Sequence, residues 1–298
     1  MPQPTIVVHG GAGNPRGGRI AVETPYHAGL SAALEAGYAV LAEGGRALDA
    51  VQAAVESLED DPMFNSARGA VLNEDGVVEM DACVMDGNGV HAGAVASVIG
   101  VRHPVALARA VLDDSDHVFI AGDGALRFAR ERGLERMDAG WFVTERERRN
   151  WSGRRTDASE AVSLGTVGAV ALDSSGNLAA ATSTGGVQGK RAGRIGDSPL
   201  VGAGTYADDR VAVSATGSGE QLIRCVAGKT ISSLVEHRGM PLGEACEFLL
   251  HERFATLGGE GGLIAVDAEG NVCTPFNTQV MHRGWQTRTD QPKTAIGV

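Results

Sequence analysis

Apolar positions near the start of the chain form a short β-rich run, residues 5–9 (Thr-Ile-Val-Val-His), which breaks into Gly10-Gly11-Ala12-Gly13. This predicts a strand entering a loop that only small residues can follow. Helical spacing comes next. Between residues 26 and 43, Leu30, Ala33, Leu34, Gly37 and Leu41 share one face, and Leu48, Val51, Ala54, Val55 and Leu58 repeat the pattern up to Pro62. From residue 69 to 101 the pattern changes to strands with turn signals. Runs at 70–72, 77–84 and 90–101, joined by polar turns at 73–76 and 86–89, predict an antiparallel meander. Helices are predicted at 104–112 and 125–132, followed by a charged linker over 145–160 with little apolar content. The strand pattern restarts at Thr166, turns at 174–177 and returns through 178–183. Residues 172–178, 266–272 and, more loosely, 72–78 share one turn grammar, while 220–235 and 242–254 read as amphipathic helices. The order argues helices layered on antiparallel sheets, not alternating βαβ units.

With 298 residues, 43% hydrophobic and 21% charged, the chain can bury a sizeable core as one large domain or two smaller ones. Its 42 glycines follow no collagen-like period, so they serve turns and close backbone approaches, which suits a site built from main chain. A net charge of −11 repels phosphate backbones and anionic membranes, and the basic clusters at 127–136 and 146–155 are interleaved with acids. Neither nucleic acid nor a membrane is an expected partner. No basic leader or spanning apolar stretch stands in the sequence, and the expectation is a soluble cytoplasmic protein. Cys83, Cys225, Cys246 and Cys273 lack CxxC spacing and are expected to be buried free thiols; the eight histidines show no HExxH pattern, which argues against zinc.

The candidate chemistry centres on Gly165-Thr166, after the charged stretch. A glycine leaves its own carbonyl sterically open, so the following hydroxyl can attack it, shift the acyl group from nitrogen to oxygen and release an ester that water cleaves. Thr166 then becomes an N-terminus whose α-amine, with a reference pKa of about 7.7–8.0, serves as base for the hydroxyl on the same residue. That arrangement needs no histidine, in keeping with the absence of a GxSxG elbow or an evident Ser/His/Asp set.

The run Gly165-Thr-Val-Gly-Ala-Val-Ala-Leu-Asp173, followed by Gly176-Asn-Leu-Ala-Ala-Ala-Thr-Ser-Thr-Gly-Gly186, resembles the plant-type asparaginase and isoaspartyl aminopeptidase family of N-terminal nucleophile hydrolases. So do His9-Gly-Gly-Ala-Gly13, Phe64-Asn65, Met80-Asp-Ala82, Arg194-Ile-Gly-Asp-Ser-Pro199, Ala215-Thr-Gly-Ser-Gly-Glu220 and Pro275-Phe-Asn277, in family order over nearly the whole chain. The resemblance implies an α+β fold, a four-layer αββα sandwich, cut into an α subunit of residues 1–165 and a β subunit of 166–298 that together form one domain. It implies a dimer of cleaved αβ units, and hydrolysis of L-asparagine and β-aspartyl dipeptides through an acyl-threonine.

By the same resemblance Thr166 is the nucleophile, Thr184 hydrogen-bonds to it, and Thr216 with the Gly217 N–H forms the oxyanion hole. Arg194 grips a substrate α-carboxylate in a forked contact, Asp197 holds its α-ammonium, Gly217 and Gly219 border that pocket, and Asn65 neighbours the nucleophile. No cofactor is implied for catalysis. A structural sodium ion is implied on the main-chain carbonyls of Leu58, Glu59, Asp61, Phe64, Ser66 and Arg68, in a loop where Ala67 replaces the common glycine and is strained if φ is positive. The alternatives are a glycosylasparaginase and an uncleaved amino-acid-binding protein on the same fold. A nucleotide-binding role is disfavoured because no glycine-rich loop has GxxxxGK[ST] or GxGxxG spacing.

Overall fold

In the computed structural model, which describes residues 2–14, 23–153 and 165–297, the first strand, β1 (Thr5–Gly13), runs on through the glycine-rich segment where the sequence predicted a loop. A bulge makes this continuation feasible. The register slips between His9 and Gly11, and Gly11 takes φ +105°, which a side chain would oppose. Helices α1 (Thr24–Ala42) and α2 (Ala47–Asp60) follow as predicted. Next come β2 (Met80–Asp86), β3 (His91–Val98), α3 (Pro104–Asp114), β4 (Phe119–Ala121), α4 (Gly122–Glu131), α5 (Ala139–Phe142) and α6 (Glu145–Gly153). The rest comprises β5 (Val167–Leu172), β6 (Leu178–Thr184), β7 (Thr205–Ala207), β8 (Val211–Gly217), α7 (Gly219–Cys225), α8 (Ala227–Arg238), α9 (Leu242–Glu247), β9 (Gly261–Asp267), β10 (Val272–Cys273), β11 (Val280–Thr287) and β12 (Lys293–Ala295).

Eight strands form one sheet in the order β12-β11-β1-β5-β6-β2-β3-β4, and four form another, β10-β9-β8-β7. Side-chain alternation along β1 shows how they share the core. Ile6 and Val8 join Leu30, Leu34, Val51, Val55 and Leu58 of α1 and α2, whereas Val7 joins Val170, Ala212, Ile264 and Val266 between the sheets. The other face of the smaller sheet packs Val213, Ala215 and Leu263 on Leu222, Ile231 and Leu249. The chain is thus a mixed α+β structure with two sheets and helices.

Several expectations are corrected. Residues 70–72 form no strand; Asn65 Oδ1 accepts from Val71 N at 2.9 Å and Leu72 O accepts from Gly189 N at 2.6 Å, so this backbone bonds to loops. The expected linker begins instead with helix α6, built on an i,i+4 pair between Glu145 and Arg149 and anchored by Trp151, which donates to Asn73 O at 2.8 Å. Its remainder, 154–160, lies outside the described residues. The helix expected over 220–235 breaks at Val226, which takes φ 47°, and α9 passes into a π-helical turn, Phe248–Phe254. The shared turn grammar has one cause: Asn73, Asp173 and Asp267 each accept main-chain N–H bonds from two and four residues ahead. All four cysteines are free, Cys83 and Cys246 buried, Cys225 and Cys273 half-buried. Among the described residues, no helix is long and apolar enough to cross a membrane.

Candidate active site

Strand ends bring the chemistry together. Pairing of Val167 with Ser183 sets Thr166, just ahead of β5, beside Thr184 at the end of β6. The Thr166 hydroxyl donates to Thr184 Oγ1 at 3.1 Å, and Thr184 Oγ1 also accepts from Gly186 N at 2.9 Å. Ser198 Oγ donates to Thr166 Oγ1 at 3.5 Å, a contact that sequence reasoning missed although Ser198 lies inside a quoted motif. Asn65 stands one step back. Its carboxamide donates to Gly186 O at 2.8 Å and accepts from Val71 N, holding the turn after Thr184, and it does not line the cavity.

Thr216, at the end of β8, is fully buried, and its hydroxyl has no hydrogen-bond partner among the described residues. A β-carbon on Gly165 would lie 2.5 Å from that oxygen, so the hydroxyl faces the Gly165–Thr166 junction. Gly11 closes the opposite side, since a β-carbon there would meet Gly165 main-chain atoms at 2.6–2.9 Å. Gly217 takes φ +129° against Glu260 O, a conformation and a clearance that only glycine meets.

Behind the nucleophile runs a buried polar chain. His9 Nε2 lies 2.8 Å from Ser214 Oγ, Ser214 Oγ 2.7 Å from Thr182 Oγ1, and Thr205 Oγ1 2.6 Å from Thr182 Oγ1 and 2.8 Å from Ser198 O. It joins the two sheets through the space that a side chain at Gly168 would fill. Burial pushes the His9 imidazole down to about 3, so it stands neutral, bonded to a hydroxyl and not to a carboxylate.

The remaining wall of a cavity of about 260 Å³ is charged: Thr166, Thr184 and Gly217 share it with Arg194 and Asp197. Arg194 does not pair with Asp197. Its Nε and Nη2 donate to Glu220 Oε1 and Oε2, each at 3.0 Å. Asp197 Oδ2 is buried without a hydrogen-bond partner among the described residues. Burial pushes this carboxyl up to about 7, helped by the Glu220 and Asp81 charges and opposed by its own backbone N–H and Arg194. Gly219 stands behind the pair; a β-carbon there would lie 2.8 Å from Arg194 Nη2 and 2.9 Å from Asp197 Oδ1.

In the loop with the carbonyls of Leu58, Glu59, Asp61, Phe64, Ser66 and Arg68, some acceptors are already engaged. Arg68 N donates to Glu59 O at 2.9 Å, Phe64 N to Asp61 O at 3.2 Å, and the Arg146 guanidinium to Pro62 O and Met63 O. The carbonyls of Phe64, Ser66 and Arg68 accept no hydrogen bond among the described residues. Ala67 takes φ 42°, the left-handed conformation that the sequence marked as a source of strain.

A profile of the family described as asparaginase matches residues 2–296. The chain belongs to the asparaginase family. An isoaspartyl peptidase of Escherichia coli (strain K12) is 48% identical over 99% of this chain and 97% of its own length. Isoaspartyl peptidase/L-asparaginases of Homo sapiens and Xenopus laevis are each 42% identical, over 90% and 94% of this chain and 88% and 91% of their own. The asparaginase family match spans both sheets, so it covers the strand ends that carry Thr166, Thr184, Thr216 and Gly217.

Proposed function

We propose that the chain cuts itself between Gly165 and Thr166 and then hydrolyses the side-chain amide of L-asparagine and β-aspartyl dipeptides through an acyl-Thr166 intermediate. One observation carries this reading: a threonine hydroxyl held at 3.1 Å from Thr184, beside an unpartnered Thr216 hydroxyl that faces the peptide bond to be cut. The relatives' names, isoaspartyl peptidase and isoaspartyl peptidase/L-asparaginase, support the substrate part of this reading.

In the first reaction Thr166 Oγ1 attacks the Gly165 carbonyl carbon, with the developing oxyanion stabilised by Thr216 and the Gly217 N–H. The carbon–nitrogen bond breaks, the nitrogen takes the hydroxyl proton to become the α-amine, and water hydrolyses the ester. Each such donor contributes roughly 3 kcal/mol in a transition state. In turnover the freed α-amine takes the hydroxyl proton, Oγ1 attacks the substrate side-chain carbonyl, and the proton leaves with ammonia or the amine. Water then releases aspartate. Arg194 holds the α-carboxylate and the ionised Asp197 the α-ammonium, which confines the site to free aspartyl backbones.

The same reading includes a four-layer αββα sandwich formed by residues 1–165 and 166–298 as one domain, a dimer of cleaved units, and a cytoplasmic setting in keeping with four free thiols. The chemistry needs no cofactor. A structural sodium would sit on the Phe64, Ser66 and Arg68 carbonyls, with Arg146 already supplying positive charge to the adjoining ones. A denaturing gel with fragment masses tests the cut: two fragments, 1–165 and 166–298, are expected, with Thr166→Ala one inactive chain. An active preparation that stays uncut, or full asparaginase activity in Thr166→Ala, overturns the proposal.

A further inference from the structure

Glu220 lies in the first turn of helix α7, where an acid is favourable at the positive end of the helix and would ordinarily need no further explanation. Its carboxylate, however, reaches a residue 26 positions earlier and takes one whole edge of the Arg194 guanidinium, through Nε and Nη2. A guanidinium has a second edge, formed by Nη1 and the remaining Nη2 proton. That edge lies among glycines: a β-carbon would come within 3.0 Å of Nη1 at Gly196, within 3.4 Å at Gly186, and within 2.8 Å of Nη2 at Gly219. The Arg194 side chain is 16% exposed and Glu220 63%, so the acid grips the arginine from the solvent side.

We infer that Glu220 is a positioning residue for substrate selection, fixing Arg194 by its side edge so that the end edge is presented to a substrate α-carboxylate. Without that grip Arg194 has an alternative partner, because Asp197 Oδ1 stands just across Gly219 from it: a β-carbon there would lie 2.8 Å from Arg194 Nη2 and 2.9 Å from Oδ1. An Arg194–Asp197 pair would consume both halves of the amino-acid clamp at once. Glu220 therefore keeps the two charges of the clamp apart, one for each end of the substrate backbone. The inference rests on the clamp reading above and adds to it the group that keeps the clamp open.

Kinetics on the cleaved enzyme with L-asparagine test it. Glu220→Gln is expected to cleave itself fully and keep its melting temperature, to raise KM about tenfold, a change of about 1.4 kcal/mol, and to leave kcat within about threefold. The pH profile supplies a readout that a merely structural role would not move. Arg194, Glu220 and Asp81 are the charged groups that face Asp197, and removing the Glu220 charge lets Asp197 ionise more easily. The acid limb of kcat/KM is then expected to move to lower pH. In an Arg194→Ala background, adding Glu220→Gln should raise KM no further. Unchanged KM and an unmoved acid limb in Glu220→Gln, or losses that simply multiply with Arg194→Ala, overturn the inference. If Arg194→Ala itself leaves KM unchanged, it is the clamp reading that fails.

Discussion

The Thr216 hydroxyl stands 2.5 Å from the point that a β-carbon on residue 165 would occupy, so the side chain at Thr216 and the lack of one at Gly165 form a single arrangement. Even one methyl group there would push the peptide bond off its donor. Gly165→Ala is accordingly expected to stay largely uncut, with the gel time course of fragment appearance as the measurement; cleavage at the parent rate would count against a strict fit.

Thr184 and Thr216 should both act on the chemistry of turnover. Thr216→Val removes a donor to the developing oxyanion, and kcat on L-asparagine should fall about 10²–10³-fold. Thr184→Val removes the acceptor that orients the nucleophile at 3.1 Å, and a loss of about 10²-fold in kcat is expected with little change in KM. Enzyme cleaved to completion must be used, so that slow maturation is not mistaken for slow turnover.

Asp197 makes stability and activity respond oppositely to pH. Its carboxyl is pushed from the ordinary 3.8 up to about 7 in the fold, so between those values the folded state holds a proton that the unfolded state has lost. Stability from this group is therefore present at low pH and declines as pH rises through that window, by up to about 1.4 kcal/mol per pH unit. His9, lowered to about 3, contributes in the other direction below its ordinary 6.5. Comparison of melting temperatures for the parent and Asp197→Asn isolates the first effect: the difference between them should change with pH across 4–7. The kcat/KM of the parent, which needs the ionised carboxylate, should fall as pH drops below about 7.

Ala67, fully buried at φ 42°, allows a numerical decision. Glycine there would relieve about 1–2 kcal/mol of left-handed strain, but would forfeit about 0.8 kcal/mol of methyl burial and 0.4–1 kcal/mol through the looser unfolded chain. The terms nearly cancel, so Ala67→Gly should shift the melting temperature by no more than about 3 °C. Ala67→Val, branched at the β-carbon, should lower it by clearly more. A large gain for the glycine variant would mean that the loop stores more strain than its dihedral indicates.

What could be read from the sequence depended on how local the cause was. Helices α1, α2 and α3 and the β5–β6 hairpin announce themselves by periodicity and turn residues. Strands β7 and β12 have three residues each, too few for any period to show. Helix α6 reads as a linker because it has little apolar content, and its anchor, Trp151 reaching Asn73, is a contact with no local signature. At the site, motif residues could be named one by one, but the Glu220 carboxylate on Arg194 was not foreseen, although Glu220 stands inside a quoted motif. The two lie 26 positions apart, and no local spacing signals such a contact.

Strand order in the larger sheet carries a final implication. Counting along it, β12 and β11 come from beyond residue 166, β1 from before it, β5 and β6 from beyond it, and β2, β3 and β4 from before it. The two segments are woven together like interlaced fingers, with β1 bonded on both edges to strands of the other segment. A cut at residue 165 would thus sever the chain but not the fabric. Neither piece could leave without breaking three strand–strand seams at once, so the cut protein should melt as one object and its separated pieces should be insoluble alone.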